Sequence, residues 1–438
     1  MIIAHLADIH IGARKYGEEV LDRDIKSMLE QVFEILEREH ITTVILAGDV
    51  FDKPKPSHED LVWTVRFIKK CTSRGFNIIA AVGDHDYPAR RDLTPLDLIA
   101  ASVDGFYAPA GALALRSKNS ILDFKVRIGN YTFYVLPYIR GIKQKREEQY
   151  KAVLSRLKQV LDRTTILVGH LGLYGHTRED DAVAYPQQLP TSKYVALGHI
   201  HNRIIFEGTG DIPPYAYPGS LVPLALNEVR HTYPRGPLII DLSGDDAEIS
   251  IIKVEPPRDY VILETELEQL EHYARMIAGR RAPGKQEPFV HLVLKVTGKT
   301  SPSKIRIREE MTRIREKYNL IIRLAAIQRT TPREETVLSS VKEDPSSIEK
   351  NILASLLGGD THLAELVYHL KNSLAREDEA ETSQLVATIL SSELRNEWGR
   401  ILGSESKPRR QHSESKKPLR EDPAMRRKVR RTLEGFLE

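Results

Sequence analysis

The chain has 438 residues, 41% hydrophobic and 29% charged, which suffices for a buried core and excludes wholesale disorder. Its 64 basic and 61 acidic side chains leave a formal charge of +3, a total that neither demands nor excludes a polyanionic partner. The lone cysteine, Cys71, excludes an internal disulfide framework and a thiolate metal cluster. No apolar run approaches the roughly 18 residues of a spanning helix, so a soluble, cytoplasmic protein with no membrane partner is expected.

In chain order, Met1–Ala7, Thr43–Ala47, Asn77–Val82, Thr165–Val168 and Lys193–Leu197 are short, rich in β-branched residues and bounded by Gly or Asp, which predicts buried strands. Between them, Leu29, Val32, Phe33 and Leu36 recur at helical spacing within Leu21–Glu39, and Ser57 can cap a helix over Ser57–Ser73. This alternation is that of βαβ crossovers and predicts an α/β domain over residues 1–257, closed by Pro256-Pro257. A smaller α+β unit follows over 258–333: helix Leu267–Ala278, strand Phe289–Val296, helix Ser301–Tyr318 and strand Leu320–Gln328. Residues 345–402 read as helical, 403–423 as a polar linker, and 424–438 as a short basic amphipathic helix. No Walker-type phosphate loop is present in the sequence.

The five strands of the first domain all end in metal-binding residue types: Asp8-Ile-His10, Gly-Asp49-Val-Phe-Asp52, Gly-Asp84-His85-Asp86, Gly-His170 and Gly-His199-Ile-His201. In an open α/β sheet the C-terminal strand edge gathers ligands, so segments distant in sequence can converge there. Any one of these residues, taken singly, is more often a cap or a surface group. Five such clusters in succession are not. Carboxylates with imidazoles and no thiolate suit manganese, iron or zinc. Seven ligating groups exceed one ion's needs and predict two divalent metals about 3.5–4 Å apart, the arrangement that serves in-line displacement at a phosphoester.

The motif order D-x-H, GD-x-x-D, G-[N/D]-H-D, GH, GH-x-H resembles the calcineurin-like metallophosphoesterases. Within that superfamily, Tyr194-Val-Ala-Leu-Gly-His-Ile-His201 followed by Tyr217-Pro-Gly-Ser-Leu221 is similar to the SbcD/Mre11 family of DNA double-strand-break repair nucleases. The resemblance implies a two-sheet sandwich flanked by helices, with a capping domain beside the site. It places Asp8, His10, Asp49 and His201 on one metal, and Asp49, Asp84, His170 and His199 on the other. His85 would stand beside the phosphate and assist the leaving oxygen, oriented by an Asp52–His85 dyad. It further implies manganese-dependent exonuclease action on ends and endonuclease action on single strands, a homodimer, and an SMC-like ATPase partner of the SbcC/Rad50 type. Asp84 departs from the family's usual Asn and adds a negative charge near the scissile phosphate. Two rivals therefore stand beside the nuclease: a catalytically weak DNA-end scaffold, and a phosphodiesterase with a non-DNA substrate.

Charge by segment is more informative than its total. Residues 280–333 hold 14 basic and 4 acidic side chains, whereas 241–279 hold 3 and 10. Arg306, Arg308, Arg313, Arg315 and Lys317 fall on one predicted helix of the basic segment and form the candidate DNA-binding face. The acidic helices of 345–402 carry apolar stripes (Ile352, Leu356, Leu357; then Leu363, Leu366, Val367, Leu370) suited to docking the ATPase or to packing on the chain itself. The Ser57–Ser73 helix has two apolar stripes, Leu61/Val65/Ile68 and Trp63/Phe67/Cys71, and the second is a candidate dimer face.

Overall fold

The computed structural model describes residues 1–14, 19–88, 93–111, 120–230, 234–297, 302–330, 350, 353, 361–375 and 386. The linker read over 403–423, the helix over 424–438, and Ile352, Leu356 and Leu357 lie outside them. The chain divides into two compact units, one holding Met1–Thr331 and the other Pro332–Glu421.

The first sheet contains β1 (Ile2–Leu6), β2 (Thr43–Ala47), β3 (Asn77–Ala81), β4 (Phe106–Tyr107), β13 (Leu238–Asp241) and β14 (Glu248–Ile251). Its order is β14-β13-β1-β2-β3-β4, with β1 to β4 parallel and the β13–β14 hairpin antiparallel on the edge. The second contains β5 (Lys125–Ile128), β6 (Tyr131–Val135), β7 (Thr165–His170), β10 (Tyr194–Gly198), β11 (Ile204–Phe206) and β12 (Tyr215–Tyr217). Here β12, β10, β7 and β6 run parallel, and β11 and β5 close the edges antiparallel. A two-strand ribbon, β8 (Gly172–Leu173) with β9 (Ala182–Ala184), stands apart.

The apolar runs alone do not say how the strands are shared between sheets; the structure divides them between two. The reason is visible in β2, every residue of which is buried. Ile45 and Ala47 face the second sheet, while Val44 and Leu46 face α1 (Val20–Arg38) and α2 (His58–Thr72). A strand covered on both sides reads as a continuous apolar run whatever covers it. The resemblance to the two-sheet metallophosphoesterases holds. Ser57 caps α2 as expected, its hydroxyl accepting the Asp60 N–H at 3.1 Å, and Cys71 is buried on its inner face. Further helices are α3 (Pro95–Ser102), α4 (Lys143–Leu157) and α5 (Leu226–Arg230).

The 258–333 unit forms a three-stranded parallel sheet, β15 (Tyr260–Thr265), β16 (Phe289–Thr297) and β17 (Ile321–Thr330), with α6 (Leu270–Gly279) and α7 (Lys304–Tyr318) as crossovers. Leu263, Leu292, Leu294, Ile307 and Ile314 make its own core. Phe289 and Ile321 instead join the helix-facing core of the larger domain, so the two pack as one body. Arg258 fixes the junction: almost wholly buried, it donates from Nε to Asp24 on α1 at 2.7 Å, and Tyr260 adds its hydroxyl to the same carboxylate at 2.5 Å. Beyond this unit the structure describes α8 (Thr361–Ala375), on which Leu366, Val367 and Leu370 are half-buried. Among the described residues no helix is long and apolar enough to cross a membrane.

Candidate metal centre

The parallel strands β1, β2 and β3 of one sheet and β7 and β10 of the other end at the same edge. There the two sheets nearly touch, since a Cβ on Gly198 would lie 1.9 Å from the Ala47 carbonyl oxygen, and within the first sheet the β2 and β3 exits crowd in the same way, since one on Gly83 would lie 2.0 Å from Asp49 Oδ1. Only glycine permits these approaches. The residues that leave the strands are held in the left-handed region, Asp8 at φ +52°, His10 at +56°, Asp49 at +51° and His199 at +101°. Non-glycine residues held there cost on the order of 1–3 kcal/mol each, and such strain gathers at functional sites.

The result is one cluster. Asp8, His10 and His201 form a triad within ligating distance of a common point, as do Asp84, His170 and His199, and Asp49 lies between them. Asp49 presents Oδ2 to His10 Nε2 at 3.6 Å and Oδ1 to His170 Nε2 at 3.5 Å. His10 Nε2 and His201 Nε2 approach to 3.1 Å. Asp84 Oδ1 lies 3.0 Å from His170 Nε2 and 3.3 Å from His199 Nδ1. Among the described residues no lysine or arginine pairs with Asp8, Asp49 or Asp84. Convergent carboxylates and imidazoles with no lysine or arginine among them fit divalent metal ions, and the oxygen and nitrogen donors suit manganese, iron or zinc.

The outer nitrogens of the histidines are also engaged, which fixes the tautomers. His170 donates from Nδ1 to the Ala47 carbonyl at 2.9 Å, His199 from Nε2 to Asp181 at 2.7 Å, and His201 from Nδ1 to Glu228 at 3.0 Å. Each inner nitrogen is thereby turned toward the cluster. Asp86, wholly buried, accepts the N–H groups of Val50, Phe51 and Gly83 and ties the β2 and β3 exits together. Burial and the Asp49 charge push its carboxyl up to about 7. Burial would also raise Asp84, but the hydrogen bonds from His170 and His199 outweigh it and hold the carboxyl well below the usual range. Burial likewise opposes charge on His199, yet Asp181 and Asp84 lift it to about 9. Protons thus sit on imidazoles where a metal would displace them.

All seven expected ligands are brought together. The expected dyad is not formed as drawn. His85 Nδ1 donates to the Asp52 backbone carbonyl at 2.8 Å, and the Asp52 carboxylate lies 3.7 Å from His10 Nδ1. The left-handed turns after β1 bring His10 over Asp52, so the side chain serves that ring and the main chain orients His85. Asp181 and Glu228 were not singled out by sequence reasoning, because neither lies in a strand-end motif. The Pro218-Gly219-Ser220 turn is the one local signal for Glu228, whose Oε2 accepts the Ser220 hydroxyl at 3.0 Å and the Leu224 N–H at 2.9 Å.

The five cations of α7 share a helix but not a face. At about 100° per residue, Arg306, Arg313 and Lys317 flank one side of the buried Ile307–Ile314 stripe, and Arg308 and Arg315 flank the other. The first three are engaged by the neighbouring acids: Arg306 with Glu268, Arg313 with Glu271 and Glu310, Lys317 with Glu271. The acidic 241–279 segment is thus folded against the basic one.

Comparison with known proteins agrees with this geometry. The calcineurin-like phosphoesterase family profile matches residues 1–203. The DNA double-strand break repair protein Mre11 of Aeropyrum pernix is 31% identical over 417 residues, 91% of this chain and 98% of that protein. The protein of the same name from Sulfurisphaera tokodaii is 25% identical over 88% of this chain and 92% of its own length. The SbcD component of the nuclease SbcCD of Staphylococcus epidermidis is 22% identical over 84% of this chain and 96% of its own length. With near-complete alignment to these proteins and a calcineurin-like phosphoesterase domain bearing the carboxylate–imidazole cluster, the chain belongs to the Mre11/SbcD family of DNA repair nucleases.

Proposed function

We propose that the chain hydrolyses DNA phosphodiesters with two divalent ions, most favourably manganese, cutting ends exonucleolytically and single strands endonucleolytically. The observation that carries this reading is the Asp49 carboxylate, whose two oxygens face different histidines, 3.6 Å from His10 and 3.5 Å from His170. Asp8, His10, Asp49 and His201 would hold one ion, and Asp49, Asp84, His170 and His199 the other. When bound, such ions supply charge neutralisation at the phosphoryl group and activation of the attacking water. His85, anchored through Nδ1 to the Asp52 carbonyl, has its Nε2 3.9 Å from Asp84 and is placed to stabilise or protonate the leaving oxygen.

DNA would also run along the cap. Arg308 and Arg315 line the flank of α7 turned from the Glu271 pairings, whereas Arg306, Arg313 and Lys317 would have to exchange Glu268, Glu271 and Glu310 for phosphate. The stripe expected to face a second copy is turned inward, with Phe67 and Cys71 buried in the core; a second copy of the chain would instead meet α2 through the half-buried Leu61, Trp63 and Val65 and the exposed Val62. The partly accessible Leu366, Val367 and Leu370 of α8 support docking of an SMC-like ATPase of the SbcC/Rad50 type.

A cleavage assay on end-labelled single-stranded and duplex DNA, with full-length protein and manganese, tests the central part of this. The wild type should cleave, and Asp49→Ala and His199→Ala should not. Cleavage unaffected by either substitution would sink the assignment. Asp84→Asn should stay within about tenfold of the wild type, because Asp84 already occupies a ligand's place between His170 and His199. A gain of several orders would show instead that the aspartate cripples the site and that the chain is an end-binding scaffold.

A further inference from the structure

Beside the Asp84 half of the metal centre lies a group of side chains that the hydrolytic reading leaves without a role. Tyr138, on the segment leaving β6, packs its ring against His170 with centroids 6.4 Å apart, and Tyr87, just past the β3 exit, lies 5.9 Å from Tyr138. Both rings are half-buried, and neither hydroxyl bonds to another described residue. Arg140 covers Tyr87 at 5.6 Å and donates to the Pro88 carbonyl at 2.7 Å. The Ile139 N–H donates to the buried Tyr150 hydroxyl at 3.3 Å, which fastens this segment to α4. The platform is therefore braced on two sides.

Arg146, in the first turn of α4, completes the group. Its guanidinium is half-buried, and Nε is sealed from solvent with no hydrogen-bond partner. Among the described residues it pairs with no carboxylate, and it stands one turn before Tyr150, the residue that holds the Ile139 N–H beside Tyr138. A buried guanidinium donor left unpaired is costly, and a planar fork of donors matches a phosphate. Aromatic faces beside a lone guanidinium are what an unstacked nucleotide uses, since any base has a face to stack and each link carries a charge.

We propose that Tyr138, Tyr87 and Arg146 form a nucleotide subsite flanking the metal centre on its Asp84 side, in which Arg146 takes the phosphate next to the scissile one and the tyrosine rings receive an unstacked base. The subsite favours a single strand, because a base inside a duplex has both faces covered by its stacked neighbours. Arg140 holds the Tyr87 ring in place. The inference rests on the DNA reading above and adds to it where the strand runs and what form it takes.

The test uses full-length protein without metal, so that binding is read apart from cleavage. The probe is a short oligonucleotide carrying 2-aminopurine, followed by anisotropy and by 2-aminopurine emission over a salt series. Wild type should bind and change the emission of the stacked base. Tyr138→Leu should lose the emission change and bind about tenfold more weakly, while Tyr138→Phe, which keeps the ring, should restore both. Arg146→Gln should weaken binding about tenfold and lower the log–log salt slope by about 0.7, and Arg146→Lys should retain the slope. Circular dichroism establishes that each variant is folded. Wild-type affinity, emission and slope in folded Tyr138→Leu and Arg146→Gln would overturn the subsite and leave the DNA reading intact. Absence of oligonucleotide binding by the wild type would overturn the subsite, while the DNA reading stands or falls by the manganese cleavage assay.

Discussion

Glu228 and Asp181 show how much of a metal site lies outside its ligands. Each accepts the outer N–H of one histidine, His201 or His199, and so decides which ring nitrogen faces the cluster. Glu228→Gln keeps the shape and one acceptor but removes the charge, and should weaken manganese binding by about 10- to 100-fold as read by calorimetry. An unchanged affinity would mean that the ring is held by packing alone. The candidate ligands were legible because each lies next to or near a glycine or a second candidate at a strand end. Their outer partners were not, since Asp181 precedes β9 and Glu228 lies on the short α5, and only the folded chain brings them to β10. The Asp52 dyad failed for a similar reason: residue type suggested a carboxylate–imidazole pair, whereas φ at Asp8 and His10 decided which imidazole the carboxylate meets.

At the level of elements, the strand exits are what the sequence states most plainly. The limits of β2, Thr43–Ala47, are those expected from its apolar run, and α2 begins at its serine cap. What the local pattern does not carry is the pairing of strands into sheets, because β2 and β10 are both buried on every residue. The second sheet explains the glycine before His199: the main chain of β10 there stands against that of β2. Gly198→Ala would set a methyl group against the Ala47 carbonyl and the His170 ring, at 1.9 and 2.9 Å. It should cost about 3 kcal/mol or more in thermal unfolding and reduce metal binding with it. A variant as stable as the wild type would contradict the close approach of the sheets. On α7, composition revealed a cationic helix but not its faces, since the acids that pair with Arg306, Arg313 and Lys317 come from residues 268, 271 and 310.

For the whole molecule, the formal charge of +3 conceals an ordered distribution. A basic cap is joined to a nearly neutral catalytic domain through the buried Arg258–Asp24 pair, and an acidic stretch folds back on the cap's own helix. The charge that remains open to a polyanion is therefore less than the segment count suggests. Outside the cap, Arg146 on α4 has a buried Nε without a hydrogen-bond partner. The catalytic claim itself depends on one bridging carboxylate holding two ions together. Titration of the metal-free full-length protein with manganese, followed by calorimetry, addresses it directly. The account predicts two ions per chain for the wild type and no more than one tightly bound ion for Asp49→Ala. Saturation of the wild type at a single ion per chain would contradict it.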